Sequence, residues 1–176
     1  QTIGNMTFDN CPSLRYVELK EGLVTIGQNA FSETRNLHAI ALPASLETIG
    51  DGAFRDCINL KSVALGDSVT DIGASAFLDC SSLTSIEIPD SVETIGKYAF
   101  EDCSNLSEIT LGESLRAIGD DAFRDCHSLT SIVIPDSVTS LGEYVFYSCS
   151  SLESVVIGYN VRSIDYYAFY DCSSLT

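Results

Sequence analysis

A repeat solenoid is the fold class this sequence predicts, on three observations. Phenylalanine recurs at Phe8, Phe31, Phe54, Phe77, Phe100, Phe123, Phe146 and Phe169, each 23 residues after the last, with no insertion or deletion. The stretches between them repeat the skeleton I-G-x-x-A-F-x-x-C-x-x-L-x-x-I-x-I-[P/G]-x-S-V. The second half of every unit alternates apolar and small or polar residues, the period of a half-buried strand. One supersecondary unit is therefore stacked on its own copies, and the 176 residues count as about seven and a half coils of a single array, 1–176.

Within the unit that opens at Ile49, the segment after Cys57 supplies the strand: Leu60, Val63 and Leu65 are inward candidates, and Ser62 and Ala64 face the other way. A breaker follows each strand, and Pro and Gly alternate there strictly: Pro43, Gly66, Pro89, Gly112, Pro135, Gly158. The near-copies IPDSVETIG from Ile88 and IPDSVTSLG from Ile134 share this period of 46, which reads as duplication of a two-coil unit. The S-V-x-x-I-G segment (Ser91, Val92, Ile95, Gly96) suggests a second short extended piece, its glycine supplying a backbone angle other residues resist. A-F-x-x-C has the spacing of one helical turn. The inward set of a coil is then Ile49, Ala53, Phe54, Cys57, Leu60, Val63, Leu65 and Val69, too few to offset the ordering of 23 residues, so a lone coil does not fold and stability is a sum over neighbours.

The pattern L-x-x-I-x-I-x-x-S, as in Leu83, Ile86, Ile88 and Ser91, resembles the leucine-rich repeat signature, and the I-G-x-x-A-F-x-x-C half closely resembles the BspA-like, or Treponema-type, leucine-rich repeats. The resemblance covers essentially the whole chain. It implies a right-handed coil with a parallel concave sheet and short strands or helical turns on the convex side. It also implies a surface-exposed or secreted product of a bacterium or protist, of a family associated with adhesion to host matrix, cells or other microbes. Thr34 stands where Cys is usual, Met6-Thr7 where x-Ala is usual and Asp165 where Gly is usual, and none of these is expected to threaten the fold. Ser45, Ser68, Ser91, Ser114 and Ser137 hold the position usually occupied by Asn, which returns only at Asn160. The chain begins just before one repeat and stops at Thr176 inside another, so an excerpt of a longer array is expected.

Nine Lys plus Arg against 25 Asp plus Glu give a net charge of -16, which opposes the phosphate neutralisation that nucleic-acid binding depends on. No apolar run approaches the roughly 18 residues of a membrane helix, so no membrane insertion by this segment is expected. Seven cysteines, Cys11, Cys57, Cys80, Cys103, Cys126, Cys149 and Cys172, recur at the repeat spacing; the odd count and the parallel side-chain vectors argue for buried free thiols over bridges. No His/Cys set has zinc spacing. His38 and His127 lie nearly four coils apart, about 19 Å along a stack of strand-spaced coils, so no catalytic constellation is expected, and no cofactor.

Two acidic columns follow from the period: Asp56, Asp79, Asp102, Asp125 and Asp171 before the Cys, and Asp67, Asp90, Glu113 and Asp136 after the Pro or Gly. Two readings stand: solvated carboxylates that bond turn amides or sit near Arg55, Arg124 and Lys97, or Ca²⁺ bridging adjacent coils.

The outward strand positions form the expected binding floor: Tyr16, Glu18, Ala39, Ala41, Ser62, Ala64, Ser85, Glu87, Glu108, Thr110, Ser131, Val133, Ser154 and Val156. Short, mostly uncharged side chains admit close approach of a flat partner; equally, they suit a tightly curved sheet. Tyrosine crowds the end of the chain at Tyr144, Tyr147, Tyr159, Tyr166, Tyr167 and Tyr170, with shared repeat positions for Tyr98, Tyr144 and Tyr167 and for Tyr147 and Tyr170. Such a cluster fits recognition and equally fits packing against a further repeat. The functional expectation is a non-enzymatic module binding protein or glycan, with a structural spacer or a targeting appendage of a larger enzyme as the alternatives.

Overall fold

The computed structural model describes residues 1–176 and is a parallel β-solenoid without helices. Each coil contributes two extended pieces. The S-V-x-x-I-G segments give the two-residue strands β1 (Thr2–Ile3), β2 (Thr25–Ile26), β4 (Thr48–Ile49), β6 (Asp71–Ile72), β8 (Thr94–Ile95), β10 (Ala117–Ile118) and β12 (Ser140–Leu141), which form one seven-stranded sheet in that order. The alternating segments give β3 (Ala39–Ala41), β5 (Ser62–Ala64), β7 (Ser85–Glu87) and β9 (Glu108–Thr110) as a four-stranded sheet, then β11 (Ser131–Ile134) and β13 (Ser154–Ile157) as a pair. Every pairing is parallel, and each residue meets the one 23 positions later, as Ala39 meets Ser62 and Ser85 meets Glu108. The hydrogen-bonded ladder of the longer strands opens between β9 and β11.

The inward set is confirmed. Ile49, Ala53, Phe54, Cys57, Leu60, Val63 and Val69 are buried, and Leu65 is half-buried against the same continuous core. The eight phenylalanine rings stack face to face along the array, with centroids 5.1–5.5 Å apart and planes within 12° of parallel. Each such contact adds about 0.5–1.5 kcal/mol beyond area burial, so the period that the sequence displays most openly is also a continuous aromatic column.

The A-F-x-x-C stretch closes turns, but they do not propagate into a helix. Ala53, Arg55 and Cys57 donate their amides back to Gly50, Gly52 and Phe54, while Gly52, Phe54 and Asp56 donate outward to Ala74, Ala76 and Leu78 of the next coil. This alternation requires left-handed backbone at two positions in every coil. One column comprises Met6, Asn29, Gly52, Ser75, Tyr98, Asp121, Tyr144 and Tyr167; the other comprises Asn10, Glu33, Asp56, Asp79, Asp102, Asp125, Ser148 and Asp171; φ lies between 49° and 61° throughout.

The glycines of the I-G pair correct the expectation placed on them, because none has positive φ. Their role is close approach: a Cβ on Gly50, Gly73, Gly96, Gly119 or Gly142 would fall 2.2–2.8 Å from backbone of the preceding coil. Asp165 occupies this position in the last coil, where the seven-stranded sheet has ended at β12 and Ile164 is half exposed. The coil that carries Asp165 still stacks on the one before it, since Tyr144 and Phe146 donate their amides to Tyr166 and Ala168.

Candidate functional site

Strand alternation fixes which side chains reach solvent. All fourteen expected floor residues are exposed, from Tyr16 and Glu18 through Ser154 and Val156. Twelve lie on β3, β5, β7, β9, β11 and β13; Tyr16 and Glu18 lie on a segment of the first coil that forms no strand. The face is graded along its length. Tyr16, Val17 and Leu19 with Ala39, Ala41 and Ala64 line a mainly apolar groove of about 390 Å³. At β7 and β9, Glu87 and Thr110 join Asp67, Asp90 and Glu113 around an acidic depression of about 450 Å³. Beyond the opening in the ladder, Val133 and Val156 are exposed apolar residues.

The tyrosine group separates into four rings that meet and two that do not. Tyr144 stacks on Tyr167 at 5.4 Å and Tyr147 on Tyr170 at 5.2 Å, because each pair shares a repeat position one coil apart. The stacks touch each other through tilted and edge-on contacts, Tyr144 with Tyr147 at 5.9 Å and Tyr167 with Tyr170 at 5.3 Å. Together the four rings enclose an open recess of about 320 Å³. Tyr159 and Tyr166 point into solvent with no ring partner, since their counterparts one coil earlier, Asp136 and Glu143, are not aromatic.

Both acidic columns do local work on the backbone. After the Pro or Gly, Asp90 accepts the amide of Glu113 at 2.9 Å and Asp136 accepts that of Tyr159 at 3.1 Å; Glu21 accepts the amides of Ala44 and Ser45 at the equivalent place. Before the Cys, Asp56, Asp79, Asp102, Asp125 and Asp171 occupy a left-handed column, a conformation that Asp and Asn tolerate better than most residues. Burial, then neighbouring Asp56 and Asp102, raise the Asp79 carboxyl, and burial followed by Asp125 raises that of Asp102. Glu101, Asp102 and Asp125 bring oxygens within 4.8 Å of one another, but Arg124 already sits among these carboxylates, 3.2 Å from Asp125, 3.4 Å from Asp121 and 3.7 Å from Glu101.

All seven cysteines are free. Six donate Sγ–H to the carbonyl of the Phe 26 residues earlier at 3.1–3.3 Å, beginning with Cys57 to Phe31 and ending with Cys172 to Phe146. Burial pushes the Cys57 thiol up to about 12 and raises Cys80, Cys103, Cys126 and Cys149 as well. His38 and His127 each hold a backbone carbonyl through Nδ1, those of Asn36 and Ser148.

A solenoid whose parallel strands repeat at 23 residues, with an inward Leu/Ile ladder and short outward side chains, is a leucine-rich repeat protein. The chain belongs to the BspA type leucine rich repeat region family, whose profile matches residues 1–95 and 70–176 in overlapping stretches. Solved structures agree. A leucine-rich repeat protein from Treponema pallidum is 29% identical over 99% of this chain and 78% of its own, with a TM-score of 0.83. One from Bacteroides ovatus is 29% identical over 100% of this chain and 57% of its own, TM-score 0.78. A leucine rich cell surface protein from Faecalibacterium prausnitzii is 27% identical over 100% of this chain and 56% of its own, TM-score 0.65. The chain thus spans a little over half the length of the latter two proteins. No match was found among curated protein sequences. No helix is long and apolar enough to cross a membrane.

Proposed function

We propose that the chain is a non-enzymatic recognition module of a cell-surface or secreted protein, contacting a protein or glycan ligand through the outward face of its longer strands. The observation that carries this reading is the face itself. Its residues are all exposed and, apart from Tyr16, Glu18, Glu87 and Glu108, are Ala, Ser, Thr and Val, so a partner can lie close to the sheet over much of its length. The likeness to a protein described as a cell surface protein supports the location, and the apolar groove at one end and acidic depression at the centre supply the polarity differences a specific partner would read.

The test is binding of the purified chain to immobilised matrix proteins, mucins and glycans at physiological salt, beside the double variant Ala41→Arg/Thr110→Arg. Both substitutions fall on exposed positions, so folding is nearly unaffected. Saturable binding that the variant loses supports the module and its face; undiminished binding in the variant removes this face from the reading. Binding to nothing on the panel favours a spacer, for which the uninterrupted ring stack is the supporting feature.

A further inference from the structure

We propose that the recess between Tyr144, Tyr147, Tyr167 and Tyr170 binds an arginine or lysine side chain presented by a basic protein partner. The inference rests on the chain being a recognition module, but not on which strand residues that module uses.

Four observations carry it. First, the backbone does not ask for these rings. Tyr144 and Tyr167 have φ of 56° and 54°, in a column that Met6 and Tyr98 share but that Asn29, Gly52, Ser75 and Asp121 fill elsewhere, and a bulky side chain is an outlier in that conformation. Strain held at a site that small residues would satisfy points to use of the side chain. Second, the rings are offered to solvent: Tyr167 and Tyr170 are each more than half exposed and bound an open recess of about 320 Å³.

Third, the chain already places cations on tyrosines of these same repeat positions. Lys97 Nζ lies 4.6 Å from the Tyr98 centroid, and the Arg124 guanidinium lies 4.9 Å from that of Tyr147. Aromatic faces attract such groups through the ring quadrupole. Tyr144, Tyr167 and Tyr170 have no cation of their own. Fourth, the surroundings favour positive charge. Arg124 is neutralised by Asp121 and Asp125. From Ser140 to Thr176 the chain carries Glu143, Glu153, Asp165 and Asp171 against Arg162 alone, within a net charge of -16. A neutral sugar would use the rings but gain nothing from that charge.

The experiment titrates the chain with a capped hexaarginine peptide, a capped hexaglutamine peptide and a neutral hexasaccharide at physiological salt, following tyrosine fluorescence and binding heat. The chain has no tryptophan, so the tyrosine signal is unobscured. The variant Tyr167→Asn/Tyr170→Ser removes two rings and installs residues that the same columns carry at Asn29 and Ser32, so the left-handed backbone is kept. Hexaarginine is expected to bind, and to bind about tenfold more weakly to this variant, while Tyr167→Phe/Tyr170→Phe binds as the parent does. Equal binding to the Asn/Ser variant would mean attraction by charge alone and would overturn the proposal. So would no binding of hexaarginine to the parent, or ring-dependent binding of the hexasaccharide in its place. Ala41→Arg/Thr110→Arg is expected to leave ring-dependent hexaarginine binding in place, so failure of the strand face and failure of the tyrosine recess are read separately.

Discussion

Thr34 Oγ1 donates to the Phe8 carbonyl at 3.0 Å, the bond that Cys57 makes to Phe31 and that five further cysteines make to their own phenylalanines. The one substitution in the cysteine column thus keeps the hydrogen bond and the burial, and sulfur chemistry is not what the position selects. Thr34→Val, equal in shape but without the hydroxyl, leaves the part-buried Phe8 carbonyl without this partner and should cost about 0.5–1.5 kcal/mol. Cys103→Thr should cost less than Cys103→Val, with urea unfolding as the readout. Equal losses for Thr and Val would mean that the bond contributes nothing.

The buried thiols also set an alkaline limit. Cys57 is raised to about 12 in the folded chain from 9.0, so above pH 9 the unfolded chain releases a proton that the folded chain retains. Stability from this group is full below pH 9 and falls as pH rises toward 12, by on the order of 4 kcal/mol at the far end. Melting temperature should therefore decline steeply over that window, and less so in Cys57→Thr. A flat profile above pH 9 would contradict the burial of the column.

Much of this architecture was legible in the sequence because a 23-residue period without insertions leaves little freedom: Phe54, Cys57, Leu60 and Val63 fall on the inner face and Ser62 and Ala64 on the outer, as alternation requires. The left-handed columns were not read, although their signal was present as Asn29, Gly52 and Asp121 in one and Asn10 and the aspartates in the other. The aspartates looked like a charged surface because side-chain charge is visible in a sequence and backbone φ is not. For the tyrosines, shared repeat positions foretold the two stacks, but the edge-on contact of Tyr167 with Tyr170 depends on the fold of the turn between them.

The aspartate column holds like charges close together for a backbone reason, so the charge itself is dispensable. Asp102→Asn keeps a residue suited to φ of 58° and removes a carboxylate raised by burial and by Asp125. It should stabilise the chain at pH 7 by about 0.5 kcal/mol at low salt and by less at high salt. Because the folded carboxyls of Asp79, Glu101 and Asp102 are all raised, their contribution is greatest below the usual carboxylate range and lessens as pH rises through it. From these groups melting temperature should accordingly climb as pH falls from just above the usual carboxylate range into it. With Arg124 already paired in the Glu101–Asp125 cluster, Ca²⁺ should raise it no more than Mg²⁺ at equal ionic strength. A specific rise with Ca²⁺, reversed by EDTA, would restore the bridging-ion reading.

The glycines of the Pro/Gly alternation have a packing cause as well as any origin in duplication. A Cβ on Gly66, Gly112 or Gly158 would lie 2.3–2.4 Å from the carbonyl oxygen of Pro43, Pro89 or Pro135 in the coil before. The obstacle is the backbone of the preceding coil, so these three positions cannot carry a side chain without the coils parting. Gly112→Ala should therefore destabilise by about 1–3 kcal/mol, whereas Pro89→Ala, which introduces no such contact, should cost less. If both substitutions are neutral in thermal unfolding, the coils separate more easily than this spacing implies.

Asp165 tests the same idea in reverse. At the equivalent glycines a Cβ would sit 2.2–2.8 Å from neighbouring backbone, and where Asp165 replaces glycine the seven-stranded sheet stops after Ser140–Leu141, with Ile164 half exposed. The next coil nonetheless continues to stack, since Phe146 and Tyr144 still donate their amides to Ala168 and Tyr166. Asp165→Gly should let residues 163–164 pair with β12 and cover part of Ile164, a side chain worth about 1.5–3 kcal/mol only when fully covered. Part of that is offset by ordering the added strand, leaving a net gain of about 1 kcal/mol. Hydrogen exchange is the decisive measurement, because the new ladder bonds should slow amides near residue 164 and leave those of β4 and β6 as they were. Unchanged exchange at 163–165 would show that something other than the missing close approach ends the sheet.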